Sequence, residues 1–581
     1  LIIVKLRRPF LIPLQFVPYD NPFMWYARVT WDGYSTPSEF SSDFYFNVPE
    51  LNQKDRVLDS IYVDNVLYAK KQNIVDCQNT EGSFYFDITN QLLYIHVYHD
   101  KRMDSSYFSA YDINGYCTET VLYDNDDIEY KPLLASSVSI RKNADRLVYG
   151  KLGFINFTFD YSNKDDDFTD FIDNPVPGSD VNVLYISKKE YDSGIRDGIP
   201  IYTGYVSEDT YGSDDKYSNS VKDKRAKLSA NIPGNRFNSV DFPDISDDVN
   251  DKIIPEGYGD IKGATAFCIN GIITTGNVNY KYCTDGTSIT TVYVKTGDAW
   301  NTVTPVSTSP TTGELVLSAT DARDSSGNPK QVKVDARFRD IDSPGDIIID
   351  LILRSFNQLY NSGNYNITQW TAESAYLADV YLYMGKQKSF FEYIEELQNA
   401  SDYGFRFDID AEGKYTLKVD DINRAVSATY DYVDIISDSL KITRDFEEYA
   451  TSVRVGYNYD QESGRGTAVV SDSLSYQVFR EYSVYQEKQY QSNLKISTDA
   501  QNKADRIALD FSKARNQVSF EIEGIEYRQI YDIITVDTSK YIDGVKVREY
   551  MGVRKLKLSG IRWDFGNERT ELTGYDITDI I

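Results

Sequence analysis

Histidine is nearly absent from this chain: its 581 residues hold two, His96 and His99. A Ser-His-Asp, Cys-His or histidine-zinc site would have to use one of them. Residues three apart in a strand point to opposite faces, so the pair cannot share one metal. Most hydrolase chemistries are therefore not expected, whereas mechanisms run by carboxylates alone stay open. Cysteine is almost as scarce. Cys77, Cys117, Cys268 and Cys283 are spaced too widely for CxxC metal knuckles and are too few for a disulfide scaffold, so buried free thiols are expected. No run of 18 apolar residues exists, and no membrane span is expected. The apolar stretch 1–14 is interrupted by Lys5, Arg7, Arg8 and Pro9, which breaks any signal-peptide core. Leucine at position 1 fits either an alternative start or a trimmed terminus. Positive charge is also short. With 61 bases against 89 acids, a net −28, the chain is poorly suited to binding nucleic acid through its phosphates.

What is present is material for a folded core. Hydrophobic residues make up 41% of the chain and aromatics 14%, which excludes a disordered acidic tail. The length implies three to five domains. Residues 25–31 ("WYARVTW"), 83–87 and 92–99 read as short strands between turns, giving an N-terminal β domain over 1–130. A second β domain, a barrel or sandwich with one short helix, is expected over 131–240. It holds the alternating run 153–161, an acidic turn at 165–167, strands at 180–187 and 201–206, and a helix-length stretch ending at 232–235. The acidic segment 241–257 lacks apolar periodicity and reads as a linker. An inserted β subdomain follows over 258–342.

Helices enter next, in an α+β block over 343–438. Ser343-Pro344 supplies an N-cap and a first helical position for a helix over 344–360, with Ile348, Leu351, Ile352, Phe356 and Leu359 at helical spacing. Ser389 and Glu392 form a capping box before Phe390, Phe391, Ile394 and Leu397. The period then becomes two: Phe405, Phe407 and Ile409 on one strand, a turn at 411–413, and Tyr415, Leu417 and Val419 on the return. The last block, 439–581, should be a β domain with one long helix. Its signals are Val453, Val455, Tyr457 and Tyr459 in alternation, then a capping box at Thr498 and Gln501 before Ala504, Ile507, Ala508, Phe511 and Arg515, then strands at 517–522, 532–536 and 554–563. The fold class is mainly β and multidomain, of small barrels or sandwiches with a few amphipathic helices.

No constellation calls for catalysis, cofactor or metal. Asp408, Asp410, Glu412 and Gly413 imitate the start of a calcium loop, but the twelfth position, where a bidentate Glu belongs, is Val419. The acid runs 124–129 and 165–167 read as surface turns. Gly464-Arg465-Gly466 lacks a phosphate-loop lysine and reads as a turn. The 89 acids supply carboxylate pairs everywhere, so their presence says nothing about glycoside hydrolysis.

Several segments resemble phage tail hub and tail-tip (baseplate hub) proteins. "GFINFTFDYSNKDDDFTDF" (153–171) is similar to the strand, acidic turn and strand of that family's first barrel. "IYTGYVSED" (201–209) and "VKDKRAKLSANIPGNRF" (221–237) resemble its closing strands and short helix. "IIPEGYGDIKGATAFCIN" (253–270) looks like the entry to an inserted domain. "SFFEYIEELQNASDYGFRFDIDAEGKYTL" (389–417) is similar to the helix-then-hairpin of the hub, and 500–575 to the final helix and β domain. The resemblance carries over no catalytic residue. It implies a structural virion protein, assembled in the host cytoplasm, forming a homotrimer or other ring at the tail tip. Its partners would be the tail tube or distal tail proteins, the tape-measure protein and the tail fibres or spike, and DNA would pass through without specific binding. Two other classes share part of the pattern. A tail-associated glycan-degrading enzyme would use paired carboxylates, but no aromatic-plus-carboxylate cluster can be placed in one cleft. A cell-surface β-domain adhesin would need an export signal.

Overall fold

The computed structural model describes residues 198–211, 216–273, 275–436, 438–445, 450–471, 486–512, 515–542 and 545–578. Before residue 198 it describes the strands named below together with 71–72, 76, 177–179, 186 and 193. The chain is mainly β, with several sheets and a few helices. A 12-stranded sheet runs in the order Asn156–Ser162, Lys216–Asp223, Ile199–Tyr211, Asp180–Tyr185, Ile2–Phe10, Phe108–Cys117, Val57–Val63, Val66–Lys70, Ser83–Asp87, Leu92–His96, Asn21–Arg28 and Val17–Tyr19. Ile2–Phe10 pairs with both Phe108–Cys117 and Asp180–Tyr185, so the expected boundary near 130 does not coincide with a break in hydrogen bonding. Val121–Tyr123 and Ile128–Tyr130 form a separate hairpin.

The C-terminal sheet runs Val426–Tyr430, Ile533–Ile542, Val545–Asp564, Arg569–Asp576, Arg515–Glu523, Lys441–Asp445, and Ser139–Asn143 pairs with Val545–Asp564 from far upstream. Alternation explains how the two large sheets meet. Asp180–Tyr185 buries every second residue, as does Arg569–Asp576, so each sheet presents one apolar face. Phe159, Val183, Ile201 and Val221 of the first sheet share one core with Val518, Ile534, Leu558 and Trp563 of the last. The Trp563 indole lies parallel to the Tyr527 ring at 6.1 Å, and its Nε1 donates to the Glu526 carbonyl at 2.8 Å. That bond lets an indole N–H sit in a dry core.

A second core belongs to the helices. The helix Pro344–Phe356 begins after Ser343 with proline in its first turn and ends at Asn357, which adopts φ +52°. It is shorter than the expected 344–360. Leu359 lies beyond the left-handed residue and is exposed, because the break turns the chain before the stripe can continue. Ser389 and Glu392 do form the capping box of Phe390–Ala400. The hairpin Phe405–Ile409/Tyr415–Val419 pairs in the expected register, Phe407 opposite Leu417. Ile348, Leu351, Ile394, Leu397, Phe407 and Leu417 pack together with Ala504 and Ile507 of the helix Ser497–Asp510.

Four local expectations differ. The stretch before 232 is strand to Asp223 and then only a four-residue 3-10 turn, Lys224–Lys227, because its apolar residues lie too far apart for a helical stripe. Helix Ser497–Asp510 starts after Ile496 without a side-chain cap, and Arg515 opens the next strand. Strand Ser452–Tyr457 buries Val453 and Val455 but stops before Tyr459, as Asn458 takes φ +54°. The acidic segment 241–257 is compact: Ile245, Val249 and Ile254 close a small core on Phe237, with Phe267 and Ile269 packed against it.

Strands Ala299–Val303, Ser288–Thr296, Val332–Arg337, Asp260–Cys268, Val278–Lys281, Glu314–Leu317 and Ser307–Ser309 make a seven-stranded sheet of their own, with its own core around Val278, Tyr280, Leu315 and Val334. The chain enters and leaves it side by side, Asp260 opposite Arg337.

Candidate functional site

The chemistry-bearing side chains of the described residues are gathered mainly at places where chain segments distant in sequence are tied together. The most deeply buried is a cluster of charges beneath the hairpin turn. Strand Lys216–Asp223 ends in a turn whose first N–H groups need acceptors. Asp223 accepts from the Arg225 backbone N–H at 2.9 Å and from its Nε at 3.0 Å. That turn points the Arg225 guanidinium inward, where it is fully buried. Its Nη1 donates to the Phe407 carbonyl at 2.6 Å and its Nη2 lies 3.4 Å from Asp408 Oδ1. Arg406 Nε donates to Asp408 Oδ2 at 3.0 Å, and its Nη1 to the Asn143 carbonyl at 2.9 Å. Lys142 Nζ donates to the Ile409 carbonyl at 3.3 Å.

One cluster thus ties the first sheet, the strand Ser139–Asn143 and the hairpin. Burial alone would raise the Asp408 carboxyl, but Lys142, Arg406 and Arg225 hold it well below the usual carboxylate range. Burial likewise acts against the Arg225 charge, and Asp223 with Asp408 overcomes it. Asp408 and Arg225 thus keep their charges through the opposite charges beside them.

The calcium-like acids are all engaged in structure. Asp408 belongs to the cluster; Asp410 Oδ1 accepts from the backbone N–H of Glu412 and Lys414 at 3.0 and 2.9 Å; Glu412 pairs with Lys414 at 2.7 Å. Gly413 takes φ +81°, and a side chain there would meet the Thr203 methyl at 2.5 Å, so the hairpin tip is pressed against the first sheet. Thr203 Oγ1 donates to the Ala411 carbonyl at 2.9 Å.

Two further ties involve lysines. Lys557 Nζ lies 2.8 Å from Asp420 Oδ1, both buried. Lys503 donates from within the core to the carbonyls of Asn399 and Ser401, the latter at 2.7 Å, and so closes the C-terminal end of Phe390–Ala400. Burial and the nearby Arg506, against Asp402, bring the Lys503 ammonium down to about 7.

The inserted sheet is held differently. Gly263, at φ +66°, lets the Asp460 carboxylate approach to 2.6 Å of where a Cβ would stand. Asp460 Oδ2 accepts from Lys333 Nζ at 3.0 Å, and the Gln461 N–H donates to the Lys262 carbonyl at 2.8 Å. At the entry, Arg337 Nη1 donates to Asp260 at 2.9 Å. Between this sheet and the 246–252 turns lies a cleft of about 640 Å³ that brings together Phe267, Trp300, Asp248 and Glu462. This corrects the reading that no aromatic-plus-carboxylate cluster shares a cleft: the four come from separate segments that only folding unites.

Cys268 and Cys283 are free and buried, and burial pushes the Cys283 thiol up to about 12. Gly464 stands in a turn closed by its N–H to the Asp460 carbonyl. His99, Cys77 and the acid stretches 124–127 and 165–167 lie outside the described residues; His96 and Cys117 end the strands Leu92–His96 and Phe108–Cys117. Among the described residues no group of three or more His, Cys, Asp or Glu is placed to hold a metal, and no helix is long and apolar enough to cross a membrane. The buried cations Arg225, Arg406 and Lys503, which tie distant segments together, are the residues that sequence reasoning missed. Within "VKDKRAK" nothing distinguishes Arg225 from the lysines beside it, since the hairpin that buries it, with Phe407 and Asp408, lies some 180 residues away.

No family model and no curated protein matches the chain. Among solved structures it is similar to the tail protein from Neisseria meningitidis MC58, at 11% identity over 78% of this chain and 94% of that one, with a TM-score of 0.37. It is similar to the 43 kDa tail protein of prophage MuSo2 from Shewanella oneidensis, at 10% identity over 77% and 95%, with a TM-score of 0.36. It is also similar to prophage tail protein gp18 from Listeria monocytogenes EGD-e, at 8% identity over 79% and 94%, with a TM-score of 0.37.

Proposed function

We propose that this chain is a non-enzymatic structural subunit of a phage-type tail tip or baseplate, a hub that forms a homotrimer or other closed ring. The observation that carries the reading is the interlock: two large sheets share one apolar core, and a charge cluster around the buried Arg225 ties them to the helix–hairpin body. Such a body moves as one piece under load, because opening any seam would expose core or strand a buried charge. The segment resemblances from 153 to 575 point to the same role. In the ring, the tail tube or distal tail proteins and the tape-measure protein lie on one side, and fibres or a spike on the other. DNA passes without being held, since a wall rich in carboxylates repels phosphate.

Copurification and mass measurement test this. Particles carrying the protein should contain it at a fixed low copy number, and the isolated chain should form a closed oligomer at micromolar concentration. A stable monomer, with no ring in assembled particles, would end the reading.

A further inference from the structure

We propose that Lys557 and Asp420 condense into an amide, a covalent strap between the C-terminal sheet and the hairpin, with Asp510 as the proton carrier. Leu556 and Leu558 of the long strand Val545–Asp564 face the core shared by the two sheets, so Lys557 between them points to the opposite face. There its neighbour on the adjacent strand is Ile533, which packs with Ile422, Ile577 and Leu509. Asp420 follows the strand Tyr415–Val419, and Asp510 ends the helix Ser497–Asp510. Lys557, Asp420 and Asp510 are shut away from water, at 5, 1 and 4% exposure.

The reacting groups are already in contact. Lys557 Nζ lies 2.8 Å from Asp420 Oδ1 and 3.1 Å from Oδ2, which sets it against the carboxyl carbon. Asp510 Oδ2 lies 3.9 Å from the same Nζ, while Arg515 Nη2 stands 3.5 Å from its other oxygen. Charges are costly in such a place, and a proton passing from the ammonium to Asp420 leaves an amine facing a carboxylic acid. The amine attacks Cγ. Asp510 takes one proton from the nitrogen and returns it to a hydroxyl on the tetrahedral carbon, which leaves as water. One C–N bond forms, one C–O bond breaks, and Asp510 ends as it began. Groups held at contact react as if highly concentrated, which favours the amide, and the neutral product removes two buried charges. Lys418 and Asp532 also pair, at 2.9 Å, but are more exposed; that pair should stay ionic.

The bond lies within one chain and does not rest on the tail reading. Its test takes the purified full chain, keeps it folded, then denatures it for mass spectrometry and tryptic mapping. The chain should be lighter than its sequence by about 18 Da, one water. Residues 419–424 should appear joined to 556–562, since trypsin cannot cut after an acylated Lys557. Lys557→Arg should restore the full mass, and Asp510→Asn should slow bond formation by roughly a hundredfold, the usual worth of a positioned acid–base group, with circular dichroism unchanged. The proposal is overturned if the folded parent chain keeps its full mass, leaving an ordinary buried ion pair. It is overturned equally if the missing water maps to a cyclic imide at Asp285-Gly286 or to the 418–532 pair, or if a folded Asp510→Asn forms the bond as fast as the parent.

Discussion

The charge cluster beneath the hairpin and the charges at the root of the inserted sheet use the same residue types to opposite ends. Arg225 and Asp223 are fully enclosed, whereas Arg337 is about a quarter exposed and its partner Asp260 more than half. Around Arg225, removing one partner leaves a charge without water or counter-ion; around Arg337, water replaces whatever is lost. The first arrangement fixes how bodies meet, and the second only holds a neighbour in place.

The largest expected effect follows from that contrast. Arg225→Met should lower stability by about 3–5 kcal/mol in denaturant unfolding, since Asp223 would stay buried without its cation. Arg337→Met should cost under about 1 kcal/mol, and that small loss should vanish at 1 M salt. Equal costs for the two variants would erase the distinction.

Lys503 sharpens the contrast through pH. Its folded-state pKa is about 7, below the ordinary lysine value, so between the two the unfolded chain binds more protons than the folded one. Stability of the helix–hairpin body should therefore rise with pH from about 7 towards 10, by up to about 1.4 kcal/mol per unit. In Lys503→Met that slope should disappear, as read from denaturation midpoints across the series.

A smaller effect is expected at the contact with the 460–464 turn. Gly263→Ala places a Cβ against the Asp460 carboxylate at a left-handed position and should cost about 1 kcal/mol, seen as faster proteolysis in the 459–466 turn. The smallest concerns the main body itself. Replacing 261–336 with a short Gly/Ser linker should leave the unfolding midpoint of the remainder nearly unchanged, because its cores draw on other residues and loop closure varies slowly with length. Collapse of the remainder at every linker length would mean that the inserted sheet completes the main core.

Local patterns were readable wherever a short stretch decides its own conformation. The Ser389–Glu392 capping box, the Phe405–Val419 hairpin and the free buried thiols Cys268 and Cys283 needed only neighbouring residues or composition. Expectations failed where one residue's backbone angle overrode an apolar stripe, as at Asn357 and Asn458. They failed again where burial depends on distant partners. Arg225 and Lys142 look like surface cations until the hairpin is folded onto them, and the acidic stretch 241–257 gains its core from Phe237 and Phe267. The cleft around Trp300 was illegible for the same reason: its walls come from separate stretches spread over more than 200 residues.

The pairing of Asp260 with Arg337 has a topological consequence. To the rest of the chain, everything between these positions is the tip of a β-hairpin, entered and left on neighbouring strands. A tip can be lengthened, shortened or exchanged for an unrelated one without rethreading the strands below it. This is the point at which the chain could acquire a new surface specificity while its architecture descends unchanged.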